Sequence, residues 1–300
     1  MFVGPSPREN SAAQAFSFVT SHHDTYPATS PNNFNLSGKS VLVTGASRGI
    51  GKTTAIRYAM AGCSKIAIAA RSPLVQAEKE IKAAAASAGH PEPIVLSLNL
   101  DVTSGESVQA AVDAVSKAFN GSLDILIANA GNSHEWVPMG ETDPESWWET
   151  IEVNVRGPYL CTCRFLPLVL QSELKTILVV SSIGALVSTP GGSGYCVSKS
   201  AACRLVEFID QEYHAQGVIA IALHPGGVAT DLGLQLPEHM HVFLCDTPEL
   251  AGDNMVWLAN ERREWLAGRM IFSNWDVTEL QAKKEEIVEK DLLKFKLQFV

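Results

Sequence analysis

From Ser40 onward the chain alternates short, almost unbroken apolar runs with longer segments of helical period. The runs are SVLVT (40–44), KIAIAA (65–70), PIVLSLNL (93–100), DILIAN (124–129), TILVV (176–180), VIAIAL (218–223) and RMIFS (269–273). Strands covered by helices on both faces read as continuous hydrophobic stretches rather than as alternating ones. Helices between successive runs satisfy the right-handed crossover that parallel strands require. The pattern predicts an α/β chain: seven parallel strands in one doubly wound sheet, with helices on both faces and a single domain. No internal repeat of fixed period interrupts it.

The ends of the chain differ from this middle. The first 35 residues are rich in Ser, Pro, Asn, Thr and Ala, with no basic start leading into an apolar segment, so an ordinary secretory signal is not expected. Residues 1–35 are expected to be a disordered or loosely docked polar arm, with His22 and His23 solvated; deleting 2–33 should then barely affect folding. The main domain is placed at 36–275. Residues 276–300, including TELQAKKEEIVEKDLLKFK, are expected to form an amphipathic helix and tail.

Composition changes the picture in three ways. Charged residues make up 18% and hydrophobic ones 46%, which favours an extensive buried core. A net charge of −9 argues against nucleic-acid or anionic-membrane surfaces, so any anion site must be local. The six cysteines form no disulfide framework and no paired CxxC, which suits a reducing, cytoplasmic setting. Cys161-x-Cys163 fits a buried helix better than a metal site, and no metal is expected. No apolar run reaches the ~18 residues of a membrane span.

The candidate chemistry lies where runs end. After 40–44 comes TGASRGIG (44–51), whose glycines 45, 49 and 51 permit a tight turn opening a helix. The N–H groups of such a helix suit a pyrophosphate, as in the Rossmann arrangement, although the spacing G-x3-G-x-G departs from G-x-G-x-x-G. The second run ends in Ala70-Arg71, without the acid that would accept from the ribose of NAD. Arg71, with Arg48 in the turn, suits a 2′-phosphate instead, although both could be plain surface arginines. Thr103 and Glu106 read as a capping box; Asp101 would assist that cap or accept from an adenine amino group. Asn129-Ala130-Gly131 would let a ribose approach the backbone, or form a plain turn. Asp143-Pro144-Glu145 looks like a helix start. Pro158 cannot donate to the carbonyl of Asn154, leaving that oxygen for a water, or else it only shapes packing.

Tyr195 and Lys199 stand four apart on the helix after SSIGALVSTPGG, so both project from one face. An ammonium beside a phenol should lower the pKa of the phenol and fit it for proton transfer near neutral pH. Ser182 could hold the same substrate oxygen. Tyr-x-x-x-Lys alone is common on amphipathic helices, so the weight rests on the other motifs. After 218–223, Pro225 and Gly226 turn the chain and Thr230 is placed at the sheet edge; His224 reads as a packing residue. The leucines of 231–247, with Val242 and Phe243, fit a lid over an apolar substrate or a subunit contact.

Taken together, TGASRGIG, Asp101-Val102, ANAG (128–131), Asn154, Ser182, YCVSK (195–199) and HPGGVAT (224–230) resemble the short-chain dehydrogenase/reductase superfamily over roughly residues 36–275. Ala128 departs mildly from the family's usual NNAG. WLANERREWLAG (257–268) and the charged segment after it look like those of filamentous-fungal members, many of which act in natural-product pathways. The resemblance implies Tyr195 as general acid/base, Ser182 positioning the substrate oxygen, Lys199 on the nicotinamide ribose and Asn154 holding a water. It implies Gly45, Ser47, Arg48, Gly49, Ile50 and Gly51 around the phosphates. Asp101 and Val102 would flank adenine, Asn129 the ribose, and Val228 and Thr230 the nicotinamide amide. The expected activity is NADP(H)-dependent interconversion of a carbonyl and a secondary alcohol. An NAD-dependent alcohol dehydrogenase, an isomerase or dehydratase, and a catalytically silent nucleotide sensor are the competing readings. The resemblance also implies a small-molecule partner and a homodimer or homotetramer through helices 143–170 and 195–215.

Overall fold

In the computed structural model, which describes residues 14–296, the apolar runs become strands: β1 Ser40–Thr44, β2 Lys65–Ala70, β3 Ile94–Asn99, β4 Ile125–Ala128, β5 Thr176–Val180, β6 Ile219–His224 and β7 Arg269–Phe272. They form one all-parallel sheet of order β3-β2-β1-β4-β5-β6-β7. The chain starts in the middle, winds outward to β3, then returns past β1 to β4 and continues to β7. This reversal between β1 and β4 is the switch point at which doubly wound sheets open a crevice at their C-terminal edge.

The helices are α1 Gly49–Met60, α2 Val75–Ser87, α3 Gly105–Ala118, α4 Pro144–Ile151, α5 Gly157–Leu170, α6 Ser193–Tyr213 and α7 Pro248–Ala259. One layer packs α1 against α2 and α7; another packs α3 against α5, and α4 against α6. β1, β4, β5 and β6 are buried throughout, in keeping with strands covered on both faces. β3, at one edge of the sheet, is different: Ile94 there is more than half exposed. Two polar side chains pin the centre. The Asp124 carboxylate accepts from Ser40 N–H at 2.9 Å and Ser40 hydroxyl at 2.8 Å, fixing β1 beside β4. The Thr44 hydroxyl oxygen accepts from Asn129 N at 3.0 Å and Ala130 N at 3.1 Å, fixing the turn after β4.

The N-terminal arm departs from expectation over its described part, residues 14–35. Rather than lying loose, it packs along the C-terminal segment. Val19, Thr29 and Pro31 are buried. Trp275 Nε1 donates to Ala15 O at 2.7 Å, His22 N to Asn274 O at 2.7 Å, and Val277 N to the Tyr26 hydroxyl at 2.9 Å. His22 stacks on Tyr26 and pairs with Asp276; His23 pairs with Asp246. Composition hid this docking because these hydrogen-bonding and ion-pair partners lie more than 220 residues away. Residues 1–13 lie outside the described residues. Burying a valine contributes about 1.5 kcal/mol and each net hydrogen bond about 1 kcal/mol. Deleting residues 2–33 should therefore lower the melting temperature by about 5 °C or more. A thermal melt unchanged within a degree would contradict the docking.

The tail also differs. One amphipathic helix was expected, but two short ones form, α8 Val277–Ala282 and α9 Lys284–Glu289, broken at Lys283. Beyond them the backbone turns through positive φ at Asp291 and Leu293, and Leu293 O accepts from Met270 N at 2.9 Å. Arg269 on β7 binds Asp291, so the turn is held to the sheet.

Candidate active site

A cavity of about 570 Å³ opens over the switch point. The turn after β1 supplies Gly45, Ser47, Arg48, Gly49, Ile50 and Gly51; the end of β2 supplies Ala70 and the residue after it, Arg71; the segment after β3 supplies Asp101 and Val102. Asn129 and Gly131 line it after β4, and Val228 and Thr230 after β6. Every residue expected to touch a cofactor away from the acid/base group therefore faces one space.

Glycine is required here by close approach. Gly45 sits at φ +68°, and a Cβ would meet Ala130 Cα at 2.9 Å; at Gly51 a Cβ would lie 2.5 Å from Gly45 O. The Asn129 side chain donates to Thr44 O at 2.8 Å, closing the turn against β4. Asp101 serves its own loop: its Oδ1 accepts from Thr103 N at 2.9 Å and Thr103 hydroxyl at 2.8 Å. Burial works to raise the Asp101 pKa, but these two bonds and the nearby Arg71 charge outweigh it, holding the carboxyl below its ordinary value. The cap of α3 is Ser104, accepting from Ser107 N at 3.2 Å, rather than the expected Thr103. At α4 the expected start is present: Asp143 accepts from Ser146 N at 3.1 Å. The two arginines are not equivalent. Arg48 is paired with Asp231 at 2.8 Å, whereas Arg71 forms no ion pair among the described residues.

Beside the Gly131 wall of the cavity, Ser182 follows β5 and Tyr195 lies in the first turn of α6. The Ser182 hydroxyl stands near enough to that of Tyr195 to work against a rise in the phenol's pKa. Ser182 in turn accepts from Gly184 N at 3.0 Å, which fixes its hydroxyl oxygen. Lys199, one turn along α6, is buried, and its Nζ donates to Val180 O at 2.9 Å. Burial pulls the Lys199 pKa down to about 8. The sequence led to a lowered tyrosine pKa; here burial raises it, the Ser182 hydroxyl only partly opposing. The reason is geometric: Lys199 Nζ lies 5.6 Å from the Tyr195 ring centre and is directed at the Val180 carbonyl. Gly131 joins the two halves, since a Cβ there would lie 3.7 Å from Lys199 Nζ and 3.5 Å from Asn154 Oδ1.

Asn154 falls within a π-helical turn, Glu152–Arg156, that ends just before Pro158. Without a proline N–H to complete an α-type bond, the helix widens at this point. The Asn154 side chain cross-links the site: Oδ1 accepts from Asn132 N, and Nδ2 donates to Asn132 O and Ser198 Oγ, all at 2.8–2.9 Å.

Several residues beside this group were not singled out from sequence. The Trp136 ring lies 6.1 Å from the Tyr195 ring and packs on Gly192, where a Cβ would clash at 2.3 Å. Trp147 Nε1 donates to Ser193 Oγ at 3.1 Å. His134 is buried with neither ring nitrogen hydrogen-bonded among the described residues, and burial lowers its pKa. Only a nearby glycine pair, GGSGY, hinted that a large side chain leans on the loop before Tyr195. Cys161 is buried and Cys163 exposed on α5, so the CxC pair shares no face.

His224 ends β6 as a packing residue. Its Nδ1 accepts from Ile183 N at 3.1 Å, and its ring meets Phe272 edge-on at 4.8 Å. Burial lowers its pKa from 6.5 to about 4. A neutral buried imidazole stays unprotonated while the unfolded chain takes up a proton, so stability rises with pH across this window. The contribution is complete above 6.5 and is lost as pH falls toward 4. A melting temperature that falls more steeply from pH 7 to pH 4.5 in the parent than in His224→Asn is expected; equal slopes would contradict it.

The cavity at a parallel-sheet switch point, beside a Ser–Tyr–Lys group, defines a nucleotide-dependent oxidoreductase class. The family model described as short chain dehydrogenase matches residues 39–241. The short chain dehydrogenase mpl6 of Monascus purpureus is 51% identical over 276 residues, spanning 92% of this chain and 94% of that protein. The short chain dehydrogenase pigC of Monascus ruber is 42% identical, spanning 92% of each. Among solved structures, a short-chain type dehydrogenase/reductase from Mycobacterium ulcerans matches with a TM-score of 0.72 and 25% identity, covering 79% of this chain and 89% of that one. An NADPH-bound carbonyl reductase from chicken fatty liver matches with a TM-score of 0.66 and 26% identity, covering 79% and 97%. The chain belongs to the short-chain dehydrogenase family; it is an oxidoreductase of the kind that uses a nicotinamide cofactor. No described helix is long and apolar enough to cross a membrane.

Proposed function

We propose that the chain interconverts a small-molecule carbonyl and a secondary alcohol with NADP(H), Tyr195 acting as the general acid/base. The observation that carries this reading is Tyr195 beside Ser182, one helical turn from a buried Lys199 that Gly131 joins to the wall of a cavity built on glycines 45, 49 and 51. The close approach at Gly45 and Gly51 supports a dinucleotide lying against bare backbone, with Ser47, Arg48 and Ile50 at its phosphates. Asp101 and Val102 would hold the adenine end, Asn129 a ribose, and Val228 and Thr230 the nicotinamide amide. When bound, the nicotinamide supplies or takes up the hydride.

The protein's own part is positioning and proton transfer. In the reductive direction the Tyr195 hydroxyl gives its proton to the substrate oxygen as that oxygen gains charge, and Ser182 donates a second hydrogen bond to the same atom. In the oxidative direction the phenolate takes that proton back. The raised tyrosine pKa keeps the hydroxyl protonated and favours the donor role. Lys199 would sit at the nicotinamide ribose, and the Asn154 carbonyl would hold a water behind it to resupply the proton. Trp136, standing against Tyr195, gives the substrate side an aromatic wall. The test is a panel of aliphatic and aromatic aldehydes and ketones with NADPH, the loss of reduced cofactor being followed optically. Product formation without net cofactor consumption would point to isomerase or dehydratase chemistry instead.

Fungal relatives in Monascus and Aspergillus support a place in fungal secondary metabolism. The six free cysteines fit a reducing, cytoplasmic location. A homodimer or homotetramer through α4–α6 is supported by Trp148, Tyr159, Val197 and Phe208, which are apolar yet more than half exposed on those helices.

A further inference from the structure

We propose that His23, Cys245 and Asp246 form a binding site for a zinc-class divalent metal ion, one that clamps the N-terminal arm to the rim of the cavity. Among the described residues, this is the one place where three side chains of ligating type present donor atoms within 4.8 Å of one another. The three come from two segments more than 220 residues apart. No metal-ligand spacing could have been read across that distance.

The geometry is close to what a tetrahedral ion needs. Metal–sulfur and metal–nitrogen bonds of about 2.3 and 2.05 Å at a tetrahedral angle put the two donors about 3.6 Å apart. Cys245 Sγ and His23 Nδ1 are 3.5 Å apart. Cys245 Sγ and Asp246 Oδ1 are 3.9 Å apart, against about 3.6 Å required. His23 Nδ1 and Asp246 Oδ1 are 2.6 Å apart, a hydrogen bond in this arrangement; an ion between them would widen it to about 3.3 Å. His23 carries that adjustment, since its side chain is 63% exposed while that of Asp246 is 5% exposed.

The supports are already in place. Asp246 Oδ2 accepts from Gly227 N at 2.6 Å, which orients the carboxylate with Oδ1 toward His23 and Cys245. Asp246 N donates to Gly227 O at 2.8 Å, and His23 O accepts from Thr247 N at 3.0 Å. Thr247 Oγ1 donates to Asp24 at 2.8 Å. Cys245 is exposed, which gives an entry path and leaves the fourth position to water. A thiolate, an imidazole and one carboxylate favour zinc or cobalt over magnesium or calcium. Binding balances as a dication taking a thiolate and a carboxylate, the thiol proton passing to solvent. Because the thiol must give up its proton to ligate, affinity should rise with pH. Because Asp246, Thr247 and Pro248 line the cavity, an ion here would tie the arm to its wall.

The experiment uses the full chain, kept reduced with a phosphine. One equivalent of cobalt(II) should give a sulfur-to-cobalt charge-transfer band, which zinc displaces, and zinc should raise the melting temperature. Cys245→Ser, an exposed isosteric change that keeps the His23–Asp246 pair, should abolish the band and the thermal shift. His23→Ala should weaken zinc by more than about tenfold while the thiol remains. The metal-free melt of Cys245→Ser should match that of the parent, showing that the loss is not unfolding. No cobalt band in the parent, or a band and a zinc affinity unchanged in both variants, would overturn the proposal.

Discussion

Tyr195→Phe should reduce turnover by about a hundred- to ten-thousandfold, the range that a positioned general acid contributes. Cofactor affinity should stay within a few-fold of the parent, because only a hydroxyl directed at Ser182 is lost and the ring keeps its place beside Trp136. Ser182 remains held through Gly184 N, so the loop after β5 has no reason to move. Steady-state rates on any active carbonyl, together with a fluorescence titration of NADPH, separate the two effects. Turnover within a few-fold of the parent would remove Tyr195 from the chemistry. Lost cofactor binding would mean that the hydroxyl holds the cofactor as well as moving the proton.

The second large effect concerns cofactor choice. At the end of β2, Ala70 offers no carboxylate to a ribose hydroxyl, while Arg71 lies at the cavity wall without an ion-pair partner among the described residues. A charge-assisted hydrogen bond contributes about 1.5–3 kcal/mol, so Arg71→Ala should weaken NADPH by roughly ten- to a hundredfold and spare NADH. Ala70→Asp should add repulsion against the 2′-phosphate and shift preference toward NADH. Arg48 should matter less, since its guanidinium already faces Asp231 at 2.8 Å and must leave that partner to serve a phosphate. Arg48→Ala is therefore expected to cost less than Arg71→Ala. Parallel titrations of both cofactors decide this, and equal NADH and NADPH affinity in the unmodified protein would contradict it.

The strands were legible because a buried parallel strand leaves a continuous apolar run, and all seven appear within a residue or so of their expected limits. The glycine turn was legible for a related reason: only glycine tolerates the approach of Ala130 and the Gly45 carbonyl, so the requirement is written in residue identity. What stayed hidden depends on long-range pairing. The docking of residues 14–35 rests on Asp246, Asn274, Asp276 and Glu279, and no local periodicity announces partners so far away. The same holds for Arg48 with Asp231, and for Trp136 against Tyr195. The tyrosine pKa was misjudged because spacing fixes which face Lys199 occupies but not where its ammonium points. In the fold it points to the Val180 carbonyl, and burial then sets the direction.

The central claim is that this site passes hydride between NADPH and a carbonyl carbon while Tyr195 handles the proton. Its most direct test is incubation of the unmodified protein with NADPH deuterated at the transferable C4 position and the carbonyl panel, followed by mass analysis of the alcohols. Deuterium on the carbinol carbon of at least one product, absent with Tyr195→Phe, is the predicted result. NADPH that binds with no deuterated alcohol from any member of the panel would contradict the claim and leave a nucleotide-binding sensor in its place.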